Sequence, residues 1–181
     1  MTAPRSINIP PRFLRVQYNG ARHPGAPNLR GLAHGANCQH FAYELLRHYG
    51  LAVPDFRSSH LWRDRRFTRR VVRLRPLDLL LFNRTRRARG AHVAVYLGQR
   101  RAIHLSKQVG TPAIWTLEEF AAQPRYRVFL GAKRLALSAR AFPDRGRRKS
   151  CQSREQSRGM SYAKISLKGG CREASSFCPS S

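Results

Sequence analysis

The residues best suited to covalent chemistry in this chain are one thiol, Cys38, and two imidazoles that follow it, His92 and His104. Thiol-based nucleophilic catalysis needs a sulfur that can ionise, an imidazole to take its proton and a polar group to orient that imidazole. Cys38 opens a helical pattern that runs from Asn37 to Gly50. Asn37 suits the N-cap, Gly50 suits the left-handed position past the last turn, and Pro54 lies just beyond. Phe41, Ala42, Leu45, Leu46 and Tyr49 recur at helical spacing, and Cys38 falls one turn earlier on the same stripe. The thiol is therefore expected to point inward from the first turn, where free amide hydrogens and the positive end of the helix dipole favour a thiolate. A buried structural cysteine fits that position equally well, because free cysteine packs as a small hydrophobe.

The histidines shift the balance towards chemistry. Arg75-Pro76 breaks the chain before the apolar run Leu77–Phe82, which reads as a buried strand. An arginine-rich loop from Asn83 to Gly90 leads into Ala91–Leu97, and a Gly98-Gln99-Arg100 link connects this to Arg101–Ser106. Two β-type runs joined by a short glycine-containing link predict a hairpin. A loop of the three residues Gly98–Arg100 sets Leu97 against Arg101 and His104 against Ala94. His92 and His104 then share one face of the sheet as diagonal neighbours. A loop one residue shorter or longer sends them to opposite faces. His40 sits two residues from Cys38 on the helix and points well around the axis, so it is not placed to act as the base. His23, His34, His48 and His60 have no paired spacing with cysteine, which argues against zinc. All five are expected at the surface, at caps or on the cleft rim.

These segments together resemble the NlpC-type cell-wall cysteine peptidases. The resemblance is carried by Asn37-Cys38-Gln39-His40-Phe41, by Pro76-Leu77-Asp78-Leu79 and by the block from Ala91 to Ser106. It extends from about Tyr18 to Arg134, through Trp115–Phe120 and a closing strand Tyr126–Leu130. It implies an α+β, papain-like core in which a helix carrying the cysteine packs on a short antiparallel sheet carrying two histidines. It further implies that Cys38 is the nucleophile, His92 the general base and then acid, and His104 the orienting member. Tyr18 matches the family's upstream active-site tyrosine. The implied substrate is a peptidoglycan peptide, cleaved at a γ-D-glutamyl–diamino acid linkage, with no cofactor and no metal. Asn37 stands where the family has aspartate, and Gln39-His40 where it has Ser-Gly; these changes bear on substrate choice. Asn-Cys-Gln-His-Phe also resembles the nucleophile segment of lecithin–retinol acyltransferase relatives, which suggests an acyltransferase or lipid amidase as an alternative. In those relatives the histidine hairpin precedes the cysteine, whereas here it follows. A third reading, of a different class, is a basic binding protein whose site is inactive.

Composition bounds the rest. The formal charge is +26, from 35 basic and 9 acidic residues, and such a chain adheres to polyanions. The plainer reading of most of this charge is a solvated, arginine-rich surface. The exception is the cluster Arg84–Arg89, where Arg87 and Arg89 are candidates to hold substrate carboxylates beside Tyr18 and Asn37. No zinc-finger spacing or ribonucleoprotein-type strand marks a nucleic-acid module. Met1–Gln17 has no apolar core of signal-peptide length, and no run is long enough to cross a membrane, so the expected location is the cytoplasm or export by a non-Sec route. The expected organisation is an irregular arm at 1–9, a monomeric catalytic domain at 10–138 and a basic, serine-rich, disordered tail at 139–181. That tail holds Cys151, Cys171 and Cys178, whose spacing fits neither a zinc set nor a disulfide frame.

Overall fold

The computed structural model describes residues 7–136. The chain divides into two units, Met1–Pro143 and Asp144–Ser181, and all described residues belong to the first. The reading of 139–181 as a tail lies outside the described residues. Helices α1 (Pro11–Leu14), α2 (Cys38–His48), α3 (Ser58–Arg63) and α4 (Leu117–Ala122) alternate with strands β1 (Thr68–Val71), β2 (Leu79–Asn83), β3 (His92–Gly98), β4 (Arg101–Leu105), β5 (Pro112–Thr116) and β6 (Val128–Leu135). The strands form one sheet in the order β1-β6-β2-β3-β4-β5, and every neighbouring pair is antiparallel. The closing strand runs Val128–Leu135 rather than Tyr126–Leu130. Val128–Leu135 must span both β1 and β2, which accounts for its greater length.

Two apolar layers cover the sheet. On one face, Leu79, Leu81, Val93, Val95, Ile103 and Leu105 meet Phe41, Ala42, Leu45 and Leu46 of α2. On the other, Leu80, Phe82, Ala94, Tyr96 and Ala102 meet Phe120 of α4 and Tyr126. Alternation along β2, β3 and β4 thus feeds both layers, as expected of strands buried on two sides.

α2 is set by local signals. The Asn37 side chain accepts a hydrogen bond from the His40 amide at 2.8 Å. The helix ends in a full Schellman pair: Gly50 (φ +73°) donates its amide to the Arg47 carbonyl, and Leu51 donates to that of Leu46. Burial extends beyond the predicted stripe. Gln39, His40 and Tyr43 are also buried, with Gln39 Nε2 and the Tyr43 hydroxyl donating to the Phe56 carbonyl. The His40 ring bonds the Gly31 carbonyl at 2.8 Å, so this histidine is a buried tether rather than a surface or rim residue.

The hairpin departs instructively from its expected form. Its turn is two residues, Gln99-Arg100, both at positive φ (+50° and +57°), closed by the pair Gly98–Arg101. Alone, that turn would send the two histidines to opposite faces. A bulge between Tyr96 and Gly98 inserts one unpaired residue, so Val95 faces Ile103 and Tyr96 faces Ala102. The register inferred from a three-residue loop is thereby restored with a different turn.

Asp78 anchors the entrance to β2. It is 1 % exposed, and its carboxylate accepts from the Arg75 amide (2.7 Å) and from Arg134 Nε (2.7 Å) and Nη2 (2.8 Å). Removing the carboxylate leaves the part-buried Arg134 guanidinium with only the Arg73 carbonyl to bond. Asp78→Ala is expected to destabilise the domain by about 3 kcal/mol in urea unfolding.

Candidate active site

Cys38 is the first residue of α2 and His92 the first residue of β3. The helix packs on one face of the sheet and His92 belongs to the other, so the two meet at the end of β3. There Cys38 and His92 line one cleft of about 160 Å³ together with Tyr18, Phe82, Asn83, Gly90, Ser106, Lys107, Arg125 and Tyr126. A larger groove of about 640 Å³, lined among others by Arg12, Phe13, Leu32 and His48, contains no thiol.

His92 Nε2 and His104 Nδ1 share a hydrogen bond of 3.0 Å, which leaves His92 Nδ1 free for another partner. Both rings are enclosed by aromatics. Tyr126 stacks on His92 at 4.4 Å, while Trp115 and Phe120 lie 4.2 Å and 4.8 Å from the His104 ring. His104 is fully buried, and its Nε2 has no hydrogen-bond partner among the described residues. Burial holds His92 well below the ordinary imidazole range, with the His104 ring lowering it further. Burial alone brings His104 to about 4.

The thiol does not follow the expectation of an acidified group. Cys38 is half-buried, and burial pushes it up, outweighing the backbone hydrogen bonds of Val93, Gln39 and Cys38 and the charge of Arg57. The amide hydrogens at the helix start do reach the sulfur, but desolvation of the anion dominates. Burial thus disfavours the charged forms of both the Cys38 thiol and the His92 ring.

Tyr18 reaches the same cleft from far upstream. Its amide donates to the Gly110 carbonyl at 2.7 Å, and it bridges to Ala36 just before α2. Asn37 flanks the cleft but spends its side-chain oxygen on the helix cap. Arg87 and Arg89 are exposed; their carbonyls accept from Asn83 Nδ2, and neither side chain lines the cleft. The cations that do line it, Lys107 and Arg125, were not singled out from the sequence. Ser106 could have been, since it stands two residues after His104 and so shares its face. Arg125 has no local signal, because its position depends on where the turn before β6 lands. Among the described residues, no group of three or more His, Cys, Asp or Glu could hold a metal ion, and no helix is long and apolar enough to cross a membrane.

No protein-family model matches this chain, and no curated protein matches it. Among solved structures it is similar to an NlpC/P60 family protein from Bacillus cereus ATCC 10987, at 24% identity and a TM-score of 0.44. The match covers 55% of this chain and 32% of that one, so the chain spans about a third of that protein's length.

Two outcomes follow from the electrostatics. Alkylation of Cys38 by iodoacetamide should accelerate as pH rises through the alkaline range, with no plateau of reactivity below neutrality. A plateau at acidic pH would show a preformed thiolate instead. For stability, the folded His104 value of about 4 lies below the ordinary imidazole value of 6.5, so the unfolded chain binds more protons between those pH values. Stability contributed by neutral His104 is present above pH 6.5 and is lost as pH falls towards 4, by an amount on the order of 3 kcal/mol. Denaturant unfolding at a series of pH values should show this slope in the wild type and a shallower one in His104→Asn.

Proposed function

We propose that the domain is a thiol amidase or endopeptidase in which Cys38 is the nucleophile, His92 the general base and acid, and His104 the residue that orients His92. The observation that carries this reading is the shared cleft of Cys38 and His92, with His92 Nε2 already engaged by His104 Nδ1 at 3.0 Å. With Nε2 so occupied, Nδ1 is the nitrogen that takes the thiol proton. That role requires the hydrogen of neutral His92 to reside on Nε2 and be donated to His104 Nδ1. His104 then carries its own hydrogen on Nε2, the atom without a polar partner, where the surrounding ring faces are the available acceptors.

With burial disfavouring both charged forms, proton transfer to His92 accompanies attack of the sulfur on an amide carbonyl. The carbonyl π pair moves onto oxygen. The amides of Cys38 and Gln39, at the start of α2, are the donors at hand for that oxyanion. The tetrahedral intermediate collapses, the C–N bond breaks, and His92 gives its proton to the departing amine. Water, deprotonated by His92, then cleaves the thioester and restores the thiol.

The sequence resemblance to NlpC-type peptidases supports cell-wall peptides as the substrate, with the γ-D-glutamyl–diamino acid bond as the site of cleavage. Digestion of purified muropeptides by the full chain, read by mass spectrometry, tests this. Wild type should release fragments split at that bond, and Cys38→Ala should release none. His104→Ala should lower kcat by about a hundredfold, with partial recovery in His104→Asn, which keeps an acceptor for His92 Nε2. Full turnover by Cys38→Ala would sink the assignment.

A further inference from the structure

Among the described residues, two buried side-chain polar atoms lack a hydrogen-bond partner, Arg22 Nε and His104 Nε2. The second belongs to a fully buried ring whose other nitrogen is bonded to His92. What surrounds that ring is aromatic: Trp115 at 4.2 Å, Phe120 at 4.8 Å and Tyr126 at 6.2 Å. Their faces are not equally available. Tyr126 stacks on His92 at 27°, and Phe120 lies flat on Phe82 at 4.3 Å. Trp115 is the nearest ring, it is stacked on no other described ring, and its plane stands at 58° to the imidazole.

The sheet places this indole. In the β4–β5 ladder Trp115 is paired with Ala102 and His104 with Ala113, so all four side chains share one face. Each ring faces an alanine, which leaves the diagonal open for the indole to lean on the imidazole. Immediately after Trp115 the chain enters the capping box of α4: the Glu119 amide donates to Thr116 Oγ1 (3.1 Å) and the Thr116 amide to Glu119 Oε2 (2.6 Å). The Trp115 backbone is thus fixed by the ladder on one side and by the cap on the other. Its side chain does not line the cleft shared by Cys38 and His92.

We propose that Trp115 is a positioning residue whose ring face accepts the His104 Nε2 hydrogen and thereby fixes the tautomers of both histidines. An aromatic face is negative, so it attracts an N–H and repels a nitrogen lone pair. With no polar partner at Nε2, the neutral His104 ring therefore keeps its hydrogen there and leaves Nδ1 bare. A bare Nδ1 at 3.0 Å takes the hydrogen of His92 Nε2, which leaves His92 Nδ1 unprotonated and ready to receive the thiol proton. The inference rests on the amidase reading and adds to it the residue that sets the direction of the hydrogen-bond chain.

Two-dimensional nitrogen–proton NMR of the histidine rings tests this on the full chain at mildly alkaline pH, without reference to turnover. In wild type, Nε2 of both rings should carry hydrogen, and the His104 Hε2 signal should be shielded by the indole face relative to a solvent-exposed imidazole N–H. Trp115→Leu, which keeps an apolar side chain but no ring, should leave His104 divided between its two tautomers. It should also lower kcat on muropeptides by about tenfold with KM within about twofold. Trp115→Phe should restore a single tautomer, and Phe120→Leu should leave the wild-type pattern in place. Hydrogen on His104 Nδ1 in wild type, or an unshielded Hε2, would overturn the proposal even if Trp115→Leu does not fold. So would unchanged tautomers in a folded Trp115→Leu protein, or a Trp115→Phe spectrum like that of Trp115→Leu. If wild type cleaves no muropeptide while the tautomers respond to Trp115 as stated, the hydrolase reading fails and the tautomer lock stands.

Discussion

One unpaired residue in β3 determines whether the two histidines can meet. The Gln99-Arg100 turn has the positive φ values that match the twist of the flanking strands, and by itself it fixes a register that separates His92 from His104. The bulge before Gly98 shifts the strand by one position and reverses that outcome. Parity is all-or-none in a sheet: a single residue moves every side chain upstream of it to the other face. The 3.0 Å bond between the imidazoles, and the enclosure of His104 by Trp115 and Phe120, both follow from this shift.

Burial and hydrogen bonding oppose each other at the site. Enclosing two imidazoles and a thiol costs free energy chiefly when they are charged, so the folded state favours the uncharged form of all three. Backbone amides of Val93, Gln39 and Cys38 point at the sulfur and act in the other direction without reversing it.

Much of this was legible in the chain, for physical reasons that differ by element. The N-cap of Asn37 and the Schellman end at Gly50 depend on neighbours within one turn, so they could be read directly. The shared face of the histidines could be read from alternation, although the turn that produces it could not, because a bulge leaves no composition signal beyond Gly98. His40 was misplaced because the loop that buries it, around Gly31, is distant along the chain from the helix stripe that predicted exposure. The direction of the thiol shift was missed for a related reason: the dipole of a helix start is local, but desolvation is a property of everything packed around it. Lys107 and Arg125 line one cleft from segments that no periodicity connects.

The entrance to β2 shows how a strained residue is held in place. Leu77 has φ +72°, a left-handed conformation that costs a non-glycine residue roughly 1–2 kcal/mol. The strain is offset on both sides. The Leu77 amide donates to the Tyr96 carbonyl at 2.8 Å, and the next carboxylate, Asp78, binds the Arg75 amide and Arg134. The Leu77 side chain also packs against the main core, which a glycine could not do. Tyr96 is the last β3 residue before the bulge, and the Tyr96 amide bonds the Asp78 carbonyl at 2.9 Å. The left-handed turn therefore pins β2 to β3 next to the shift on which the histidine pair depends, so strain at one end of the strand helps secure the register that pairs the histidines at the other.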